Sequence, residues 1–323
     1  MDKRYIIQRI IFSVIAFFFI ITLVFFLARA TGDPLAELEN DPRVSPETIK
    51  TIKALFGLDK PLYIQYLDFL RNMLLEGQFG YSIAYRRPVM DVIAERIWYT
   101  LALLIPAITL SNYLAYRLGI EIAWRRRSVV GSAIVSLSII ISSVPYFWLA
   151  ILFLYIFSVQ LNWTPIFGAV SPGVSFSWSP QWFLDYLWHY ILPFSVLVFR
   201  SVFSYVLYVR NTTIDILGED YVNVAVAMGL SSTKVKYDYV ARNAMLPIIT
   251  VLGLRYAFLI DGAILTETVF SYPGTGRLVF EAINERDFWL LQGATVILAL
   301  SVIIVNLVID LLYGLLDPKV KQR

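Results

Sequence analysis

The side chains that most often carry covalent chemistry are scarce in this chain. It has no Cys and one His, His189. Thiolate nucleophiles, Cys-based metal sites and disulfides are therefore removed, and a single His argues against a Ser/His triad or a His-based metal site. What the chain offers instead is polar groups set in very apolar sequence. Arg200, Arg255, Asp261 and Glu267 lie within or beside hydrophobic runs, and Ser132, Ser136 and Ser143 fall on one helical face, with Ser138 and Ser142 nearby. Ions are costly in lipid and face a polar interior or a partner. Two readings of each group stay open: Arg200, Arg255 and Asp261 line a polar passage or form structural pairs, and Ser136 and Ser143 meet a solute or simply let helices approach closely. Arg255 and Asp261 are six residues apart, so a pair involving either would form across helices. Intramembrane hydrolysis would need a His within a span or a second Asp opposite Asp261. Asn306 and Asp310, at i and i+4, suit hydrogen bonds between helices.

The elements that must position these groups follow from composition. Hydrophobic residues make up 58% of the 323 and charged residues 16%, with a mean hydropathy of +0.67. Soluble domains are nearer about 45–50% and about 25%. Disorder, a fibre and an ordinary water-soluble enzyme are excluded, and 27 basic against 24 acidic residues is too even for a nucleic-acid binder. About 20 apolar residues cross a bilayer as a helix. Six runs qualify: 6–27, 98–118, 129–159 (interrupted by Pro145), 190–209, 246–269 and 288–316. The first is too long for a signal-peptide core and has a poor cleavage site, so it reads as a retained helix. Lys and Arg concentrate at the N-terminus, at Arg117 and Arg125–Arg127, at Arg210, Lys234, Lys236 and Arg242, and in the tail. The positive-inside rule then puts both termini in the cytoplasm. Trp163, Trp178, Trp182, Tyr186 and Trp188 form an outer aromatic belt that also holds His189. The expectation is an all-α integral membrane protein of six transmembrane helices. Residues 1–28 are the tail and first helix, 29–97 a small folded extracytoplasmic segment, and 98–323 a five-helix core with a cytoplasmic loop at about 211–245. Within the outer segment, Ser45-Pro46 opens a helix that Gly57 closes, and Pro61 opens a second.

That cytoplasmic loop is unusually apolar. Tyr221, Val224, Ala225 and Met228 recur at i, i+3, i+4 and i+7 on a short helix opened by Glu219 and Asp220 and closed by Gly229, after which Ser231 or Ser232 caps a second helix. The stripe either packs beneath the protein's own spans or enters a groove on a partner. No Gly-x-x-x-x-Gly-Lys-[Ser/Thr] phosphate loop is present, so ATP hydrolysis of that type would belong to another chain.

The loop resembles that of the membrane-spanning permease subunits of binding-protein-dependent ABC importers, in the oligopeptide/dipeptide/nickel branch. The resemblance rests on Glu219-Asp220-Tyr221-Val222, Ala225, Ala227, Gly229-Leu230-Ser231, Arg242-Asn243-Ala244 and Leu246-Pro247. Further fragments match in order: Gly32-Asp33-Pro34, Arg87-Pro88-Val89, Thr100-Leu101, Glu267 through Gly274 with Gly276-Arg277-Leu278, and Leu315-Leu316-Asp317-Pro318. It departs from the branch at Asn223, which stands where a Glu is usual, at Val226 and Met228, where basic residues are common, and before Thr100, where a Pro is usual. The resemblance implies a type I ABC importer permease fold paired with a homologous permease. It also implies two cytoplasmic ATPases that bind ATP and Mg, an external solute-binding protein, and no cofactor on this chain. Glu219, Asp220, Tyr221, Val224, Ala225, Met228, Gly229, Leu230 and Ser231 would couple the ATPases to the passage, and the cargo would be a peptide, an oligosaccharide or nickel. A stand-alone secondary transporter or channel is the alternative, but no inverted repeat or coupling-ion site is evident.

Overall fold

Apolar sequence inside a bilayer can satisfy its backbone only as a helix or a closed barrel, and this chain does so as helix. The computed structural model describes residues 3–30 and 44–316, with Gly32, Leu35 and Glu39 between them. The long helices are α1 (Lys3–Ala30), α4 (Val89–Trp124), α7 (Pro180–Leu217), α10 (Arg242–Val269) and α12 (Phe288–Leu316). Shorter ones are α2 (Pro46–Leu55), α3 (Leu62–Arg71), α5 (Val129–Ser143), α6 (Tyr146–Phe153, continued by a π-helical turn at Leu154–Gln160), α8 (Asp220–Ala227), α9 (Ser232–Lys234) and α11 (Thr275–Asn284). Further π-helical stretches are Asn72–Glu76, which follows α3, and Val235–Ala241, which runs without a break from α9 into α10. Among the described residues four helices (α1, α4, α7 and α12) are long and apolar enough to cross a membrane, or five spans if the bent α5–α6 pair counts as one. At 28 residues α10, the expected fifth span, has the length for a crossing.

The core is built on α4 and α7. Leu103, Leu104, Ala107 and Ala115 of α4 pack with Val196, Leu197, Val206 and Val209 of α7 and with Ala244 and Ile248 of α10. Gly119 lets the two main helices close up, because a Cβ there would lie 2.6 Å from the Val209 side chain. Against this pair, α1 joins only at the edge through α12, with Ile21 packing beside Leu290, Ala294 and Val296. Its other face leaves Ile7, Ile11, Phe12, Ile15 and Phe19 exposed, as a lipid-facing helix does.

The run 129–159 differs from the single kinked span expected. Its two halves, Val129–Ser143 and Tyr146–Gln160, meet at 104°. Pro145 has no N–H to offer, and Val144 before it is extended (ψ 130°), as a residue preceding proline prefers. The helix therefore stops and restarts.

Two helices, α2 and α3, form where Ser45-Pro46 and Pro61 are expected to open them. The Ser45 side chain accepts from the Thr48 N–H at 3.2 Å, and Gly57, at φ +64°, lets the Leu58 N–H return to the Lys53 carbonyl. Helix α3 docks on α1 through Tyr66, whose hydroxyl lies 2.6 Å from that of Thr22. A minimal hairpin, β1 (Tyr81–Ser82) with β2 (Arg87–Pro88), is held by Asp287 at the start of α12. That fully buried carboxylate accepts from Ser82 Oγ (2.5 Å) and from the N–H groups of Ala84 (3.1 Å) and Leu290 (3.0 Å).

Candidate functional site

The loop between α7 and α10 forms a foot anchored on one side and bare on the other. Helix α8 begins after Glu219, carries Asp220 in its first turn and ends in a glycine cap. Gly229, at φ +74°, donates to the Val226 carbonyl (3.0 Å), and the Leu230 N–H reaches back to the Ala225 carbonyl (3.4 Å), the paired bonds of a left-handed helix stop. Ser231, rather than Ser232, is the next cap, its Oγ accepting from the Lys234 N–H. The inner side of α8 buries Val222 and Ala225 with Val235 and Val240, against Trp124 of α4, Ile216 and Leu217 of α7, and Leu230. The outer side shows Tyr221 (38% exposed), Val224 (56%) and Met228 (71%). Three of the four stripe residues therefore face outward, whereas Ala225 is buried against the protein's own helices. It sits one position round the helix from Val224, and its small side chain fits the contact with α7. Burial, and then the Glu219 charge, push the Tyr221 phenol above its ordinary range.

What the foot rests on is stiff. Lys236 is buried and ion-paired to Glu121 of α4, which also holds Arg125 at 2.7 Å. Tyr116 donates to the Ala241 carbonyl at 3.2 Å, and Tyr208 to that of Pro247 at 3.2 Å. These bonds tie the chain that follows α8 to α4 and α7.

Of the expected passage residues whose side chains are described, Arg200 lies beside Ser143, bound to the carbonyls on either side of it, and Ser136 is not joined to them by any hydrogen bond. Arg200 closes the break in the third run: Nε donates to the Val144 carbonyl (3.1 Å), Nη2 to the Ser142 carbonyl (2.7 Å), and the guanidinium lies 5.0 Å over the Tyr146 ring. It satisfies carbonyls that the stopped helix leaves free. Ser136 and Ser143 are exposed, Ser143 bonding its own helix at Ile139, whereas Ser138 is buried. Arg255 and Asp261 belong to α10, but their side chains, like that of Asp310, lie outside the described residues. His189 is buried and donates to the Asp185 carbonyl at 2.8 Å, while the Asp185 carboxylate binds the Ser171 N–H and hydroxyl; both are structural ties.

At the end of the bundle away from the foot, Glu267 is fully buried. It accepts from Thr100 Oγ1 (2.7 Å) and from the Arg277 N–H (3.0 Å) at the opening of α11, while Thr100 in turn accepts from the Thr275 N–H (2.7 Å). The positive end of α11 suits this carboxylate. Gly274 and Gly276 are required beside it, because a Cβ at either would run into its oxygens. This latch joins α4, α10 and α11.

The foot thus pairs an apolar exposed ridge with a braced inner side, and comparison with known proteins places the chain in a family. Residues 115–322 match the family described as the binding-protein-dependent transport system inner membrane component, and residues 2–104 match its N-terminal companion. The chain belongs to this permease family. It is 34% identical to the dipeptide transport system permease protein DppB of Escherichia coli K12, with 99% of each chain covered. It is likewise 34% identical to the di/tripeptide transport system permease protein DppB of Pseudomonas aeruginosa and 35% identical to the glutathione transport system permease protein GsiC of Escherichia coli K12, again over 99% of each. The permease is a multi-pass protein of the cytoplasmic membrane, and its family role is that of a membrane component rather than a catalyst. The N-terminal match ends and the main match begins inside α4, the helix that carries both Thr100 and Glu121.

Proposed function

We propose that this permease is a translocation subunit of an ATP-driven importer of short peptides. It receives solute from an extracytoplasmic binding protein and passes it inward by alternating access between itself and a homologous second permease. Two cytoplasmic ATPases, which hold ATP and Mg, seat on the foot at 219–231. Six spans with both termini cytoplasmic put the foot on the ATPase side and segment 29–97 on the outer side. The relatives that match nearly end to end are named for dipeptides, di- and tripeptides and glutathione, which favours peptide cargo over oligosaccharide or nickel. The observation that carries the coupling role is the two-sided foot: Val222 and Ala225 anchor it while Tyr221, Val224 and Met228 stand bare. Burying an exposed aliphatic side chain of this size stabilises a contact by about 1.5–3 kcal/mol. ATPase closure then drags α8, and the continuous π-helical stretch carries the motion into α10 as a rigid-body displacement.

Val224→Asp with Met228→Asp tests this. The variant chain should insert and melt as the wild type does, because both side chains are exposed, yet fail to retain the ATPases or support ATP-driven uptake. Normal uptake would overturn the reading, as would uptake by the chain alone in liposomes driven by an ion gradient without ATP. The lack of native Cys makes sidedness directly measurable, since a lone Cys at Arg126 should react with a membrane-impermeant maleimide only from the cytoplasm.

A further inference from the structure

Beside the foot, but not part of it, a cavity of about 260 Å³ opens between the last turns of α4 and the π-helical stretch at 235–241. Its walls carry Arg117, Glu121 and Lys236 as charges, Tyr237 as a ring, and Leu118 and Ile120 as apolar surface. We propose that it binds the headgroup phosphate of an anionic phospholipid in the leaflet the foot faces, an assignment that rests on the sidedness proposed above.

The chemistry is that of a membrane-surface anion. Arg117 is exposed and has no carboxylate partner among the described residues. Lys236 uses one donor on Glu121 and lies 5.0 Å from the Tyr237 ring centroid, which leaves further ammonium N–H groups for an acceptor. Glu121 is divided between Lys236 and Arg125, so the two lining cations outweigh the one lining anion. Arg126 and Arg127 add positive charge a turn beyond, and basic clusters where a spanning helix leaves the bilayer attract anionic lipid by about 1 kcal/mol per residue. The cavity holds roughly nine times the ~30 Å³ share of one water, enough for a phosphate and its polar substituent. Along α4 below Arg117, Tyr113 and Leu110 are exposed on the same face, at i−4 and i−7, and supply an apolar track for an acyl chain. A free phosphate would use the head site but not this track.

The full-length chain, reconstituted in nanodiscs whose two leaflets are identical, tests the site whichever way the chain points. Phosphatidylglycerol retained per chain relative to phosphatidylcholine is read by native mass spectrometry. The wild type should be enriched in phosphatidylglycerol, Arg117→Lys should keep the enrichment, and Arg117→Glu should lower it on the order of tenfold. Glu121→Gln, which releases Lys236 from its carboxylate, should raise it, whereas a purely structural role for this cluster predicts a fall. Inorganic phosphate should not displace the lipid. Equal retention in Arg117→Glu, lower retention in Glu121→Gln, or full displacement by phosphate would each overturn the proposal. A maleimide result placing Arg126 outside would instead overturn the sidedness and leave the lipid measurement standing.

Discussion

Gly229 is where backbone strain and side-chain clash can be told apart. Its φ of +74° lies in the left-handed region, yet a Cβ built there meets nothing within 4 Å. Substitution therefore costs only conformational energy: about 1–2 kcal/mol for an ordinary L-residue, less for Asn, which tolerates this region, and more for a β-branched side chain. The conformation at stake is the paired return of the Gly229 and Leu230 N–H groups, which seats Leu230 beside Val222 and Ala225. A shift of this size changes the seated population of the foot by about five- to thirtyfold. With the complete transporter in proteoliposomes, uptake per ATP hydrolysed should fall in the order Asn, Ala, Val at this position. The melting of the chain should hardly move, because the foot lies at the edge of the core. Normal coupling in Gly229→Val refutes the lever, and an Asn variant as impaired as the Val variant refutes the strain argument even if the lever survives.

Arg200→Met should destabilise the chain by about 1.5–3 kcal/mol, since the Ser142 and Val144 carbonyls lose a charged donor; thermal unfolding in detergent checks this, with Arg200→Lys recovering part of the loss. Glu267→Gln keeps the shape of the latch but turns one of its two accepting oxygens into an amide N–H that faces a donor, Thr100 or the Arg277 N–H, and should lower stability by about 1–2 kcal/mol. Gly274→Ala, which presses a methyl into the same carboxylate, should cost more than Glu267→Gln in the same measurement. A short bifunctional thiol crosslinker joining Tyr116→Cys to Ala241→Cys, across the gap that the Tyr116 side chain now bridges, should leave ATP-driven uptake intact; its abolition would show that α4 and α10 slide past each other.

How much of this was legible beforehand depended on the range of the interaction. Tyr221, Val224, Met228 and Gly229 could be read because a helical period and a left-handed stop are local properties. Ala225 could not, since a small residue beside a stripe fits either face and only the packing of α7 decides. Pro145 announced an interruption, but the 104° turn depends on Arg200, 56 positions away from Val144. Thr100 and Glu267 each stood in a fragment of the family resemblance, yet their contact spans 167 positions, and nothing in the spacing of either fragment joins them. Asp287 gave no signal of its own; its partner Ser82 lies 205 positions earlier. Segment 44–88 was readable because Ser45, Gly57 and Pro61 act through their nearest neighbours.

These long-range contacts together constrain how the bundle moves. Helix α4 is pinned to the chain around α10 at two levels: Thr100 with Glu267 at one end, and Glu121 with Lys236 and Tyr116 with Ala241 at the other. Along α4 the two levels are about 32 Å apart at ~1.5 Å per residue. Sliding one helix along the other would break both at once, leaving the buried Lys236 ammonium and the buried Glu267 carboxylate short of a partner. Rotation of the pair as one body breaks neither. The junction at Ser143–Pro145 already lacks helix continuity and is held from α7 by Arg200 on the Ser142 and Val144 carbonyls and by Ser201 on the Tyr146 hydroxyl. A push on the foot is therefore expected to turn α4 and α10 together and to bend the chain at that junction, where the resistance is least.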